Sequence, residues 1–188
     1  MTIPLTSCSA GSPTDQLQGV LLEEPQPKPS FVLTETSGEK YDFVTRTEGK
    51  LTLLYFGYTN CPDICPVHMA QIARTFEEHP EIEDQSEVVF VSVDPERDTP
   101  SVLRAFLDNF GPNFVGLTGT TAELEVAEKA AGVPMAEVVG GGEDYSVNHA
   151  AWVVVYAPDG LSYSFYPFGV KQSQWNNDLQ ILAAIEGS

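Results

Sequence analysis

From Phe31 onward, short unbroken apolar runs alternate with stretches in which apolar residues recur every three or four positions. Runs of the first kind read as strands and those of the second as amphipathic helices, which together predict an α/β fold. Leu51-Thr52-Leu53-Leu54-Tyr55-Phe56 and Val88-Val89-Phe90-Val91-Ser92-Val93 are nearly continuous, as expected of strands covered on both faces. Between them Met69, Ile72, Ala73 and Phe76 keep helical spacing. Thr99-Pro100 supplies an N-cap and a proline at the first helical position. The helix it opens has Val102, Leu103, Phe106, Leu107 and Phe110 on its apolar face and stops at Gly111. A short strand follows from Phe114 to Leu117, then a helix from the capping box Thr120/Glu123 to a stop at Gly132. Trp152 to Tyr156 is another buried strand, turned by Pro158-Asp159-Gly160 into a partner. In that partner Leu161, Tyr163 and Phe165 alternate with Ser162, Ser164 and Tyr166, which predicts an antiparallel strand with one wetter face. Ser173 is expected to cap a last helix that turns Trp175, Leu179, Leu182 and Ile185 inward. The sum is a central mixed sheet flanked by helices, with a C-terminal antiparallel hairpin, compatible with a thioredoxin-like fold.

The first thirty residues break this pattern. Ser9 to Ser30 is rich in Ser, Gly, Gln and Pro and ends in Glu23-Glu24-Pro25-Gln26-Pro27-Lys28-Pro29. Such a segment is expected to be a flexible tether with an rms reach of roughly 26 Å. The predicted division is therefore a tether over 1–30 and a domain over 31–188. Leu5-Thr6-Ser7-Cys8 has the form of a bacterial lipobox, with Cys8 the residue to be lipidated. Met1 to Ser7 lacks the basic and apolar regions of a signal peptide, which we expect to have been trimmed upstream. No apolar run reaches 18 residues, so no spanning helix is expected. With 27 acidic and 9 basic residues the formal charge is -18, which repels polyphosphate and anionic headgroups and argues against nucleic acid as a partner.

The candidate chemistry lies in Cys61-Pro62-Asp63-Ile64-Cys65-Pro66, directly after a buried strand and before a helix. Carboxyl ends of strands are where open α/β sheets hold ligands. Proline clashes inside a helix, so the helix is expected to start at Pro66, with Cys65 near its N-cap, where free N–H groups favour a thiolate. The loop before it can curl to bring Cys61 to Cys65. The bland reading, two buried structural cysteines, is disfavoured by their pairing on one proline-wrapped loop. A closed zinc site needs two more ligands than are at hand. Two thiolates suit Cu(I), and an added imidazole lets the same site hold Cu(II). Of three histidines, His79 ends a helix beside Pro80 and is expected to be solvated. His68 at the third helical position is expected to point outward as a surface residue. His149 follows the Gly-rich stretch Gly140-Gly141-Gly142-Glu143-Asp144 and precedes a strand. The residues alone do not choose between a ligand and a structural role for it.

Several motifs occur together: Tyr55-Phe56-Gly57-Tyr58-Thr59-Asn60-Cys61-Pro62-Asp63-Ile64-Cys65-Pro66, Val93-Asp94-Pro95-Glu96-Arg97-Asp98-Thr99-Pro100, Gly116-Leu117-Thr118-Gly119 and Tyr145-Ser146-Val147-Asn148-His149-Ala150, with Pro158-Asp159-Gly160 behind. In this order, across Phe31 to Ser188, the chain resembles the Sco/SenC family of copper proteins needed for assembly of cytochrome c oxidase. The resemblance implies a thioredoxin-like fold, copper held by Cys61, Cys65 and His149, and attachment to the outer face of the cell membrane. It also implies a client, the binuclear copper site of oxidase subunit II, and another copper chaperone as a potential partner. Asp94 matches an acidic position near the copper loop, to assist transfer or to shape the turn. Asn148 stands where family members often have Asp before the histidine, which puts a carboxylate partner for His149 in question.

The expected function is that of a monomeric metallochaperone without turnover. The alternative from another class is a thiol-disulfide oxidoreductase that reduces the client's cysteines with Cys61 and Cys65. A peroxidase has no separate support. Cys-x-x-x-Cys with a distant histidine reads more as a ligand set than as the Cys-x-x-Cys of common oxidoreductases.

Overall fold

Burial along both faces, foreseen for the two apolar runs, places them at the centre of the sheet. The computed structural model describes residues 13–142 and 145–186. After a 3-10 turn (Pro13–Gln16), the strands are β1 (Val20–Pro27), β2 (Val32–Glu35), β3 (Lys40–Asp42), β4 (Leu51–Gly57), β5 (Ser86–Ser92), β6 (Phe114–Thr118), β7 (Glu137–Val139), β8 (Ser146–Asn148), β9 (Trp152–Tyr156) and β10 (Leu161–Pro167). The helices are α1 (Phe43–Arg46), α2 (Ile64–Glu78), α3 (Pro80–Glu83), α4 (Pro100–Leu107), α5 (Thr121–Ala131) and α6 (Gln172–Ala183). Eight strands form one mixed sheet in the order β1-β10-β9-β4-β5-β6-β2-β3, while β7 and β8 form a separate two-stranded ribbon. β4, β5 and β6 are parallel, and the remaining pairings are antiparallel. The architecture is thioredoxin-like, and the expected C-terminal hairpin is β9–β10.

Tyr55, Phe90 and Gly116 are neighbours across β4, β5 and β6 and so share one face. α2 and α4 cover that face, His68 meeting Tyr55 and Phe106 meeting Phe90. A Cβ at Gly116 would sit 2.9 Å from Leu103 and Leu107, so α4 can lie this close only over a residue without a side chain. α6 joins the same layer, stacking Trp175 on Tyr166 and turning Leu179 and Leu182 into the core. The capping box at Thr120 and the left-handed stop at Gly132 are as expected. Val102 of α4, expected on the apolar face, is exposed, and α4 ends at Leu107, before the expected stop at Gly111.

Three expectations are corrected. Residues 9–30 are not a tether throughout. β1 pairs antiparallel with β10 as an edge strand, with an irregularity between Leu21 and Gln26 that accommodates Pro25. Its side chains are almost all exposed, so backbone bonds hold it, and its one short apolar run, Val20-Leu21-Leu22, is followed by polar residues and prolines. The second correction explains what anchors it. In β10 the face bearing Ser162, Ser164 and Tyr166 is the buried one. Ser164 Oγ donates to the Tyr166 hydroxyl, which donates to Asp178 of α6 at 2.9 Å. Buried Asp178 also accepts the backbone N–H of Gln18 (2.8 Å) and of Gly19 (2.8 Å). The serines are thus part of a polar core that fastens the chain's N-terminal stretch. Third, α6 starts beyond Lys171, whose N–H donates to Gln174, and Ser173 is exposed inside the first turn. Cys8 and its lipobox lie outside the described residues. No helix among the described residues is long and apolar enough to cross a membrane.

Candidate metal centre

β4 delivers the chain to the cysteine loop at the carboxyl edge of the sheet, and α2 takes it away. α2 begins at Ile64, two residues earlier than expected. Pro66 therefore sits within the first turn, where a backbone N–H has no intrahelical acceptor and its lack costs nothing. Cys65 is wholly buried and Cys61 is 9% exposed. Both are free thiols. The Cys61 N–H donates to the Tyr58 carbonyl at 3.3 Å, curling the loop back toward the helix.

The loop and the strand ribbon meet here. One ligand-type atom each from Cys61, Cys65 and His149 lies within 4.8 Å of the others. Cys65 Sγ is 3.7 Å from His149 Nε2. A three-coordinate ion with bonds of about 2.0–2.3 Å would space its ligand atoms by roughly 3.7–4.0 Å, so the arrangement suits one ion at its centre. His149 Nδ1 lies 3.0 Å from the Ala150 carbonyl, which leaves Nε2 for the sulfurs. Asn148, the position in question, is exposed, and a backbone carbonyl takes the orienting role expected of a carboxylate there. Tyr55 and Tyr58 stand edge-on to the imidazole at 5.9 and 5.5 Å between ring centres. A solvent-open cleft of about 290 Å³ between Pro62 and Asn148 reaches Cys61 and His149.

The two sulfurs differ in their hold on a proton. Accepting the Cys65 thiol, with His149 and the backbone N–H groups of Cys65 and Asp63 assisting, holds Cys61 down to about 3. Cys65, donating to Cys61 and fully buried, is pushed far up. The N–H groups of the first turn were expected to favour a thiolate on Cys65; they lower Cys61 instead, the more exposed of the two sulfurs. Tyr55 Oη lies 3.5 Å from Cys65 Sγ as a further donor. A Cβ at Gly57 would come within 2.6 Å of Tyr55 and 3.0 Å of Cys65 Sγ, so this position must lack a side chain.

The other histidines are elsewhere. His79 caps the far end of α2, about 20 Å of helix from Cys65. His68 was expected on the surface and is instead completely buried. With the helix starting at Ile64, His68 falls on the inward stripe with Cys65, Met69 and Ile72. Its ring lies among Tyr55, Phe168 and Trp175, and neither nitrogen completes a hydrogen bond. Desolvation lowers it from 6.5 to about 4; the Ala151 carbonyl opposes this in part, without a bond of normal geometry. The i, i+3, i+4 spacing from Cys65 was the available signal. Asp94 is neither exposed nor free: it accepts from Arg97 and from the Tyr145 hydroxyl. Tyr55, Arg97, Asp98 and Tyr145 support the site but were not singled out from the sequence.

Residues 21–184 match the family model described as SCO1/SenC. An SCO2-like protein of Rickettsia prowazekii is 34% identical over 136 residues, which cover 69% of this chain and 64% of that one. The copper-bound structure of ScoI from Bradyrhizobium japonicum is 32% identical, with a TM-score of 0.73 over 83% of this chain and 98% of that chain. The apo Sco1 of Thermus thermophilus is 31% identical, with a TM-score of 0.78 over 89% and 97%.

Proposed function

The chain belongs to the SCO1/SenC family, and from that premise we propose that it is a copper metallochaperone, holding one ion on Cys61, Cys65 and His149. The observation that carries this reading is the convergence of two sulfurs and one imidazole nitrogen within 4.8 Å at the mouth of an open cleft. Thiolates select a soft ion, and three ligands leave a coordination position through which a client can take it. Copper is the cargo, and no step of turnover is needed. The client is the binuclear copper site of cytochrome c oxidase subunit II, and a second copper chaperone supplies the ion. The protein works on the extracytoplasmic face of the bacterial membrane, tethered by lipid on Cys8, where the dithiol is not held reduced by a glutathione pool.

The low-lying Cys61 thiolate next to a protonated Cys65 favours one second reading. Such a pair can reduce a client disulfide: Cys61 attacks one sulfur, Cys65 resolves the mixed disulfide, and the client leaves with two thiols as this chain gains one disulfide.

The test is titration of the reduced protein with Cu(I) against a chelator, followed by mixing with the apo client domain. One ion per chain, lost in Cys61→Ser and in Cys65→Ser and passed to the client, supports the chaperone. Wild-type stoichiometry and affinity in either serine variant would rule out the dithiol site. Client thiols released without metal movement would favour the reductase.

A further inference from the structure

The three ligand-type residues come from two parts of the chain that a backbone ladder joins on one side only: β9, three residues after His149, pairs with β4. Cys61 and Cys65 follow β4 in the main sheet, whereas His149 follows β8, which pairs only with β7 in the separate ribbon. On the β8 side, side chains must therefore fix where the imidazole stands relative to the sulfurs.

We propose that the turn between β5 and α4, residues 94–98, is the positioning element that sets this distance while supplying no ligand itself. It grips the thiolate loop through Asp98. This wholly buried carboxylate accepts the Thr59 N–H at 3.0 Å, the Thr59 hydroxyl at 2.5 Å and the Ser92 hydroxyl at 2.6 Å. Thr59 lies two residues before Cys61, on the same curl. The turn grips the ribbon through Asp94 and Arg97. The Tyr145 hydroxyl donates to Asp94 at 2.6 Å, Arg97 Nη1 donates to the Tyr145 carbonyl at 2.9 Å, and the guanidinium lies 3.5 Å from the Tyr145 ring centre. Tyr145 directly precedes β8, four residues before His149.

The two grips are one body. Arg97 Nε donates to Asp94 at 2.5 Å, and the backbone N–H groups of Arg97 and Asp98 both donate to the Asp94 carbonyl. Arg97 also faces the Tyr58 ring at 5.7 Å, and Tyr58 stands edge-on to His149. A carboxylate–guanidinium pair only 3% exposed on its acidic side resists screening and has fixed geometry. The ribbon is thus located by one Tyr–Asp–Arg cluster and the thiolate loop by one aspartate four residues on.

This inference rests on the proposed copper function for its metal readout but not for its structural one. Tyr145→Phe keeps the ring under Arg97 and removes one hydroxyl; Arg97→Lys keeps the charge and loses the fork. Both should weaken Cu(II), which needs the imidazole, by about tenfold while Cu(I) on two thiolates changes less than about threefold. Both should shift the sulfur-to-Cu(II) absorption band. Asp98→Asn should weaken Cu(I) and Cu(II) alike. Hydrogen exchange on the metal-free proteins reads the same device without copper: amides 146–149 should exchange about tenfold faster in Tyr145→Phe and Arg97→Lys, with those of β4 and β5 unchanged. Equal losses of both ions in all three variants, or ribbon amides that exchange at the wild-type rate, would overturn the proposal. A wild-type protein that binds no copper would remove the chaperone reading, and the exchange measurement would still decide this one.

Discussion

Replacing His68 by leucine should make the protein more resistant to acid, although a histidine lies so close to the candidate site. In the folded chain His68 is held from 6.5 down to about 4 by desolvation, with the nearby His149 charge adding to it and the Cys61 charge opposing it. Between those values the unfolded chain binds a proton that the folded chain does not, so stability falls as pH falls from about 6.5 toward 4 and levels off below. A shift of this size is worth about 3 kcal/mol at the acid end of the window. At pH 8 the ring is neutral in both states. There leucine loses ring contacts with Tyr55, Phe168 and Trp175 but also removes two buried nitrogens without partners, so the two proteins should agree within about 1 kcal/mol. Burial raises the carboxyls of Asp98 and Glu128, which gives them the opposite slope with pH. Taking His68→Leu minus wild type cancels those groups. The assay is urea unfolding of reduced, metal-free protein at half-unit steps from pH 8 to 4, with equal m-values required. The difference should grow from near zero to about 3 kcal/mol in favour of leucine. A flat difference curve would mean that His68 titrates normally and that the apolar box around it is not closed.

Three further outcomes follow from the geometry. Gly57→Ala should lower stability by about 1–3 kcal/mol and weaken Cu(I) binding, because the new methyl strikes Tyr55 and Cys65 Sγ; a thermal melt and chelator competition measure both. Asp178→Ala should cost about 3 kcal/mol or more by orphaning the Gln18 and Gly19 N–H groups and the Tyr166 hydroxyl, and limited proteolysis should then cut within residues 13–27. Iodoacetamide at pH 5 should alkylate Cys61 well ahead of Cys65 in the reduced protein, read by peptide mass, since Cys61 is held down to about 3 and Cys65 is raised.

Elements whose side chains carry their own signal were legible in the sequence. β4 and β5 are buried on both faces and read as unbroken apolar runs, and the Thr120 box and Gly132 stop are local chemistry. What escaped were elements held by the backbone or by polar cores. β1 presents its side chains to solvent, and the serine face of β10 is buried because Asp178 and Tyr166 complete its hydrogen bonds. Pro66 misled the placement of α2 because proline is tolerated throughout a first turn, not only at its first residue. That shift of two residues also moved His68 from the surface into the core. In the site, the residues alone marked Cys61 and Cys65, while His149 entered through family resemblance. The supporting shell did not announce itself, since Asp98 and Tyr145 act through neighbours remote in sequence.

The unequal mounting of the three candidate ligands bears on how an ion would leave. Both cysteines stand buried at the junction of a central strand with a long helix, whereas His149 stands in the link between β8 and β9 and is the most exposed of the three. The net charge of -18 raises the local concentration of every cation, so it cannot choose among them; choice falls to the sulfurs. Under the proposed function, the ligand that distinguishes Cu(II) from Cu(I) is then also the one most easily displaced. A Cu(I) ion on two fixed thiolates, with the imidazole swung aside, has an open position facing the cleft. A client thiolate can enter there before either cysteine lets go, so copper need never be released free into solvent.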